Sequence, residues 1–511
     1  MARAKPKAPR KGRGKADAGP TMVRTDANPV IVTSLDRFAE ENYKRYGLAV
    51  LENRAIPDYR DGLNPVNRRV LWSAHTLGFS NKSKLSKAAR IVGDVIGRYH
   101  PHGDMAAYEA MVGMTNLPNK VNNIRVGLME GGGNWGSLSG ASFAAARYTE
   151  CRLTKFSDEV LFNRFYMPVV QKVPNFDNTT VEPLILPALL PVLFLNGRFG
   201  IAPGATCKIP AFDGNSVLAL LKRAYSGEEL TPKILSKTLK VVTTYGGVED
   251  ESEAKSEGRK ALFTGKKGAL TLRSTHTYDE KKRTLTFTKF AKADFEKSIE
   301  KISAIDGVQS VYDMSLATDR EGKLVVVLKK QMEGRHKRTI EKVIAFMQLR
   351  ENYVLNFTRR TKDETGQAQA TMKAMTLTTA FTNWVKWRTA LEKKACGYWI
   401  GEDDKEIRRL DLLMQACDLI DFIVKLLKDK KLKSSDEVYK AYAKKAKVEF
   451  EEAKYVLTRP IITLRNLEKR SLLEDQKKVQ ANRKKLVMRQ KKPLDFMKEQ
   501  LKDFAPFFKH G

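Results

Sequence analysis

The spacing of the apolar residues changes repeatedly along this chain, and those changes restrict it to a multidomain α+β fold. Leu85, Ala88, Ala89, Val92, Val95 and Ile96 recur at the period of a helix with one buried face. Between about 212 and 370 the texture becomes alternating, as in Thr284-Leu285-Thr286-Phe287-Thr288 and the buried-strand run Leu324 to Leu328. An acidic segment, Glu249 to Glu253, reads as exposed, and nothing in this region suggests catalysis. From Leu377 to Lys428 helical spacing returns, with Ile407, Leu410, Met414 and Cys417 placed as in a coiled-coil seam. A second charged helix follows Pro460, with Leu464, Leu467, Leu472 and Leu473 near its start. Two long helices around a compact helical insert suggest an antiparallel stalk, and an ordinary helical bundle satisfies the same periodicity. One hydrophobic core does not usually cover 511 residues, so about three or four structural units are expected.

Near the start, residues 1–20 contain basic residues, Pro, Gly and Ala with no apolar segment to bury, so a disordered basic tail is expected over 1–30. Such a tail is either a solvated extension or a loose phosphate-binding arm. Ser34 can cap a helix whose apolar face begins with Leu35, Phe38 and Leu48 and which ends before Ile56-Pro57. The turn Tyr99-His100-Pro101-His102-Gly103 ends the helix carrying Ile96, and Asp104 is expected to cap the next, which runs to about Met114. Two helices around a tight turn make a helix-turn-helix candidate, although most helical hairpins bind no DNA.

Lysine and arginine number 92 against 59 acidic residues, a formal charge of +33. That excess favours a polyanionic partner, with nucleic acid foremost. No apolar run approaches the roughly 20 residues needed to span a bilayer, and the longest, Leu184 to Leu195, contains two prolines and reads as buried core or loop. The basic N-terminus lacks the apolar core of a secretory signal, so a cytoplasmic location is expected. Cys151, Cys207, Cys396 and Cys417 have no C-x-x-C spacing and read as reduced thiols.

Several motifs have both a chemical and a structural reading. Gly131-x-Gly133-x-x-Gly136 follows a strand-like Ile124 to Met129, but Gly140 interrupts the helix a dinucleotide site needs and no acid lies at the expected distance. A flexible glycine loop is expected instead. There is no G-x-x-x-x-G-K-[ST] phosphate loop. His100-x-His102 lacks a third metal ligand nearby, which leaves hydrogen bonding within the fold or to a phosphate. Arg60, Arg68 and Arg69 sit among turn-formers, a spacing suited to aiming guanidinium forks at phosphates or to a solvated charged loop. Arg147 stands beside Tyr148 after a run of small residues. A phenol with a pKa near about 10 needs activation to act as a nucleophile, and a neighbouring guanidinium supplies it by stabilising the phenolate.

Taken in order, RAIPDYRDGLNPVNRR at Arg54 to Arg69, GDVIGRYHPHGD at Gly93 to Asp104, GNWGS at Gly133 to Ser137, AARYTE at Ala145 to Glu150 and NGRFGIAPG at Asn196 to Gly204 closely resemble type IIA DNA topoisomerases, specifically the gyrase A and topoisomerase IV A polypeptides. Tyr455 to Leu473 is similar to the family's dimer gate. In compact length and divergent loops the chain looks most like the medium subunit of T-even-type phage enzymes, which places it in a host bacterial cytoplasm.

The resemblance implies a winged-helix breakage-reunion domain over 31–211, an α/β tower domain over 212–375, outgoing coiled-coil helices over 376–428, a dimerisation gate over 429–463 and a return helix over 464–511. It implies that Tyr148 attacks duplex DNA to give a 5'-phosphotyrosyl link and a free 3'-hydroxyl, with Arg147 stabilising the charge on phosphorus oxygens. Arg54, Arg68, Arg69, His100 and His102 match positions that hold the cut segment, Arg60 joins them from the same loop, and Ile201 matches an isoleucine that wedges between base pairs. By the same resemblance two copies pair as a homodimer. Magnesium and ATP are bound by a partner subunit in trans, with no metal site and no membrane contact in this chain. The chain stops at Gly511 without a wrapping domain, so relaxation and decatenation are expected rather than negative supercoiling.

Two rivals remain at this level: an enzyme that forms a 3'-phosphotyrosine, such as a tyrosine recombinase or type IB topoisomerase, and a non-enzymatic DNA-binding protein. The former usually carries its tyrosine near the C-terminus, whereas Tyr148 lies in the first third. Asn64 and Asn67 stand where the family's bacterial members usually have lysine and histidine, which puts two phosphate contacts in doubt. Met105 replaces the serine that anchors quinolones, while Glu109 keeps the acidic partner. Weak quinolone sensitivity is therefore predicted, and quinolone-stabilised cleavage at concentrations effective against bacterial gyrase would refute it.

Overall fold

The computed structural model describes residues 21–24, 29–32, 34–50, 56–115, 125–137, 141–243, 245–250, 256–291, 295–315, 322–330, 336–429, 432, 434–459 and 469–508. The expected tail over 1–20, the predicted contact Arg54, and Pro460, Leu464 and Leu467 at the head of the return helix lie outside the described residues. Strands β1 (Thr21–Arg24) and β2 (Pro29–Val32) pair antiparallel, so secondary structure begins before residue 30, inside the expected tail. Helix α1 (Leu35–Val50) starts as predicted after Ser34, whose carbonyl accepts from Phe38 and whose hydroxyl accepts from the Arg37 amide.

Three helices and a small sheet build the next part. Pro65, with its fixed φ and missing N–H, opens α2 (Pro65–Thr76). Strand β3 (Ser86–Lys87) leads into α3 (Ala88–Arg98), which buries Ala88, Val92 and Val95 of the predicted face together with Ile91, whereas Ala89 is exposed, Ile96 is partly buried and Leu85 precedes the helix. In α4 (Asp104–Val112) the capping position is Gly103, so Asp104 is the first helical residue rather than the cap, where its charge still suits the helix N-terminus. Strands β4 (Met129–Gly132) and β5 (Glu150–Leu153) complete a sheet of order β3-β5-β4. After α5 (Lys155–Val160) and the hairpin of β6 (Lys172–Pro174) and β7 (Val181–Pro183), the run Leu184 to Leu195 is buried throughout.

Past α6 (Val192–Asn196), strands β8 (Arg198–Ala202), β9 (Ala205–Ile209) and β10 (Ala211–Phe212) do not close off the preceding unit. With β11 (Val241–Val242), β12 (Val248–Glu249), β13 (Lys267–Arg273) and β18 (Leu349–Val354) they form a seven-stranded sheet of order β10-β11-β12-β13-β18-β9-β8. That sheet crosses the expected boundary at 211/212, because β10 spans it and β9 pairs with β18 as well as with β8. Helices α7 (Gly214–Tyr225), α8 (Pro232–Thr238) and α9 (Glu257–Thr264) belong to the same core. A separate core holds the sheet β14 (Thr275–Asp279), β15 (Thr284–Lys289), β17 (Leu324–Leu328), β16 (Val308–Asp313), covered by α10 (Phe295–Ser303) and α11 (His336–Phe346).

Hairpin β19 (Asn356–Lys362) and β20 (Ala368–Ala374) leads into α12 (Leu377–Asp418), α13 (Ile420–Lys428), α14 (Ser435–Ala446) and α15 (Phe450–Leu457). The chain returns as α16 (Lys469–Lys491) and α17 (Pro493–Phe504). Side-chain pairs Asp418–Lys469, Asp411–Gln476, Asp404–Arg483 and Glu392–Arg489 descend one helix as they climb the other, so α12 and α16 run antiparallel. Near the far end Leu410, Leu413 and Ala416 are buried, whereas Met414 and Cys417 of the predicted seam are partly exposed. Among the described residues, no helix is long and apolar enough to cross a membrane.

A buried polar node ties the two long helices to the body. Glu392 accepts from Arg388 at 2.9 Å, from Tyr166 at 2.7 Å and from Arg489, and Arg388 also donates to the Tyr166 hydroxyl at 2.8 Å. Arg489 lies against Phe165 and Phe496, its guanidinium carbon 4.0 and 3.5 Å from their ring centroids. Burial alone would raise the Glu392 carboxyl, but the two arginines and Tyr166 hold it below the usual range. Its contribution to stability is thus complete above the ordinary glutamate pKa and lost as pH falls through the lowered folded value. Glu392→Gln leaves two buried guanidinium groups short of a counter-charge and is expected to cost about 3 kcal/mol at neutral pH. The deficit should shrink in acid, and urea unfolding curves collected across pH check both; a deficit independent of pH would contradict this account.

Candidate active site and nucleic-acid interface

Tyr148 lies outside any helix or strand, on the turn 146–148, with 63% of its surface exposed. Two orphan amides of a helix N-terminus hold that turn: the Ala88 N–H at the N-terminus of α3 donates to the Thr149 carbonyl at 3.0 Å, and the Ala89 N–H to the Ala146 carbonyl at 3.2 Å. The Tyr148 side chain is therefore bracketed by backbone anchors on both sides. From α4, the Tyr108 hydroxyl donates to the Ala144 carbonyl at 2.7 Å and lies 2.8 Å from the buried Thr149 hydroxyl. Burial pushes the Tyr108 hydroxyl up, which keeps it a donor.

Beneath the turn, Trp135 is buried against Tyr108, their ring centroids 5.7 Å apart, and its indole N–H donates to the Gly132 carbonyl at 3.0 Å. The expected flexible glycine loop is thus partly packed structure: Gly131 and Gly132 belong to β4, and a Cβ on Gly131 would stand 2.7 Å from the Trp135 ring nitrogen. Gly133, at φ +88°, turns the chain below the Tyr148 carbonyl, where glycine's conformational freedom is needed. Gly140 lies outside the described residues.

Arg147 is the nearest charge to Tyr148. Its guanidinium carbon is 4.7 Å from the Tyr148 ring centroid, and its hydrogen bond and charge hold the phenol below its usual pKa. Both groups face solvent, so salt weakens the effect. On either side, Lys87 pairs with Glu150 at 3.0 Å and Arg152 with Glu130 at 2.8 Å, fastening β5 to its neighbours.

The three loop arginines are oriented inward. Arg68 is buried and donates to Asp61 at 2.6 and 2.9 Å, and Asp61 also accepts from the Leu63 and Leu186 amides. Arg60 grips Asp58 at 2.9 and 2.8 Å and reaches the Arg360 carbonyl, while Asp58 accepts from the Arg360 amide at 2.7 Å. Arg69 forms two bonds with Glu182 of β7, at 2.7 and 2.8 Å. The forks expected to face phosphates instead engage carboxylates of the fold, because a buried guanidinium needs a counter-charge. Asn64 and Asn67 are buried too.

His100 is also buried, its Nδ1 2.9 Å from Arg69 Nη1. A guanidinium can only donate, so Nδ1 accepts and the neutral ring carries its proton on Nε2. His102 is exposed, edge-on to His100 with centroids 4.5 Å apart. Ile201 stands out from β8, 65% exposed. Sequence reasoning missed Tyr108, Asp58, Asp61 and Glu182; Tyr108 shares α4 with Asp104 but has no motif of its own, and Glu182 lies 113 residues from Arg69. Among the described residues, no three His, Cys, Asp or Glu side chains converge as a metal site.

Comparison with known proteins adds an independent line. Residues 54–504 match the family of the DNA gyrase and topoisomerase IV A subunits. The chain is 42% identical over 216 residues to the chloroplastic/mitochondrial DNA gyrase A subunit of Arabidopsis thaliana, an alignment covering 42% of this chain and 22% of the relative. It is 47% identical over 181 residues to the DNA gyrase A subunit of Helicobacter pylori, covering 35% and 21%. With the DNA topoisomerase 4 A subunit of Bacillus subtilis it shares 36% identity over 310 residues, covering 59% and 37%. The chain thus spans well under half the length of these curated relatives. Because the family match takes in the Tyr148 turn, the inward arginine loop and both long helices, the chain belongs to the family of DNA gyrase and topoisomerase IV A subunits.

Proposed function

We propose that this chain is the DNA breakage-reunion subunit of an ATP-dependent type II topoisomerase, with Tyr148 as its nucleophile. The observation that carries this reading is the Tyr148 turn: an exposed phenol, an adjacent guanidinium that favours its ionised form, and backbone anchors on both sides. Such an arrangement suits attack on an external phosphodiester. The Tyr148 oxygen forms a bond to phosphorus, the bond from phosphorus to the 3'-oxygen breaks, and that oxygen takes up a proton. A 5'-phosphotyrosyl link and a free 3'-hydroxyl result. One phosphoester replaces another, so reversal reseals the strand without energy input.

Arg147 stabilises both the phenolate before attack and the phosphorus oxygens during it. The exposed His102 is suited to a neighbouring phosphate, and His100 and Arg54 keep the phosphate-holding role that their motifs imply. Arg60, Arg68 and Arg69 act in this reading as positioning residues, holding the surface on which DNA lies. We further read α2, α3 and α4 with the three-stranded sheet as the winged-helix unit, and the α12/α16 pair as a coiled coil ending at a dimer gate. Two copies then cut opposite strands of one duplex, for relaxation or decatenation. We assign magnesium and ATP to a partner subunit in trans, as the resemblance implies. A phage origin, and with it a host cytoplasm, remains part of the proposal.

With its partner subunit, magnesium and supercoiled plasmid, wild type is expected to give detergent-trapped linear DNA with protein on its 5' ends, and Tyr148→Phe none. Binding by both proteins with cleavage by neither would favour a non-enzymatic DNA-binding role. Arg147→Gln should slow cleavage by about a hundredfold or more. Because Arg147 lowers the phenol's pKa, a larger fraction of Tyr148 is ionised at any alkaline pH in wild type, and the substitution should shift its titration upward. Ultraviolet difference titration against Tyr148→Phe reads that shift, and an unchanged midpoint would remove Arg147 from this role.

A further inference from the structure

Hairpin β8–β9 presents apolar side chains where a solvated strand would carry polar ones. Alternation along β8 turns Gly200 and Ala202 inward and leaves Phe199 52% and Ile201 65% exposed. The register sets Lys208 of β9 opposite Phe199 and Thr206 opposite Ile201, so these four share the outer face. Cys207 and Ile209 of β9 are buried on the other. The Lys208 ammonium lies 5.8 Å from the Phe199 ring centroid and 2.8 Å from Glu351 Oε1, which tethers it beside the ring.

The support beneath this face is stiff. Gly197, at φ +61°, approaches so closely that a Cβ there would stand 2.7 Å from the Ile209 carbonyl, and the Asn196 side chain exchanges hydrogen bonds with the Val126 backbone at 2.6 and 3.1 Å. The outcome is two rigid apolar blades on one strand. Alternate residues of a strand rise by about 6.6 Å, and two steps of stacked base pairs span about 6.8 Å. The blades therefore stand about as far apart as two undistorted base-pair steps. Apolar side chains on a cationic protein are the groups used to unstack base steps from the minor groove.

We propose that Phe199 is a second DNA wedge, entering the duplex two base pairs from Ile201, so that the β8–β9 face bends DNA at two steps rather than one. This rests on the reading of the chain as a DNA-cleaving subunit. The formal charge of +33 favours DNA over a protein as the occupant of this face.

The test combines the full chain and its partner subunit with a duplex scanned with single 2-aminopurines, whose emission rises on unstacking. Wild type and the cleavage-dead Tyr148→Phe should each brighten two positions two base pairs apart for each copy of the chain, one such pair on either side of the cut. Phe199→Ala should darken one of them and Ile201→Ala the other, with about tenfold weaker DNA binding for Phe199→Ala and partial recovery in Phe199→Leu. The wedge is overturned if Phe199→Ala matches wild type at both positions, or if it weakens association with the partner subunit while leaving DNA binding unchanged. Tyr148-dependent cleavage persisting in that case would show that only the wedge had failed. Two bright positions without Tyr148-dependent cleavage would instead sink the nuclease reading and leave the wedge standing.

Discussion

Three carboxylates removed from water, each clamped by an arginine, set the frame on which the rest of this protein depends. An isolated buried carboxylate is too costly to keep ionised, so Asp58, Asp61 and Glu182 can be buried only where a guanidinium meets them. Asp58 with Arg60 fastens the loop ahead of α2 to β19, Asp61 with Arg68 fastens it to the Leu186 amide, and Glu182 with Arg69 joins α2 to β7. Such pairs add little net stability over well-packed apolar residues, but breaking one strands a charge, so they fix geometry strongly. Arg360 adds a fourth guanidinium, pushed down to about 10 by burial and by Arg68. The frame thus carries four cations against three anions.

From that frame the Tyr148 turn follows by short steps. Arg69 positions His100, the His100 amide donates to the Val95 carbonyl at the end of α3, and the first amides of α3 hold the carbonyls on either side of Arg147 and Tyr148. The α4 residue Tyr108 closes the arrangement from below. Tyr148 itself can then remain exposed, because its position is set by backbone bonds and by the side chains beneath it rather than by its own burial. At the other end of the body the Arg388–Glu392–Arg489 node transmits the direction of the long helices to the same core, since Tyr166 belongs to the body and Arg489 to the returning helix.

Parts of this were legible in the chain alone. The α3 face, the buried run from Leu184, the long helix from Leu377 and the Arg147–Tyr148 pair all rest on local order, and all stand near where their spacing places them. The sheet that crosses the expected boundary at 211/212 was not legible, because β9 pairs with β18, a strand about 150 residues away in the chain. Nor could the inward direction of Arg68 be read, since its partner Asp61 is near in sequence but the burial of both depends on the packing of Leu186 and Leu193 above the loop.

The sequence by itself determined the class of fold, the strongly positive charge of the chain and the order of the motifs, because periodicity, charge and residue identity are properties of neighbouring residues. Only the tertiary structure decided which arginines face carboxylates rather than solvent, that the glycine run is packed under Trp135, and that Phe199 stands beside Ile201 on an open face. Each of those outcomes is a choice between water and a particular partner. That choice is made by desolvation when distant segments close on one another, and no local pattern encodes it.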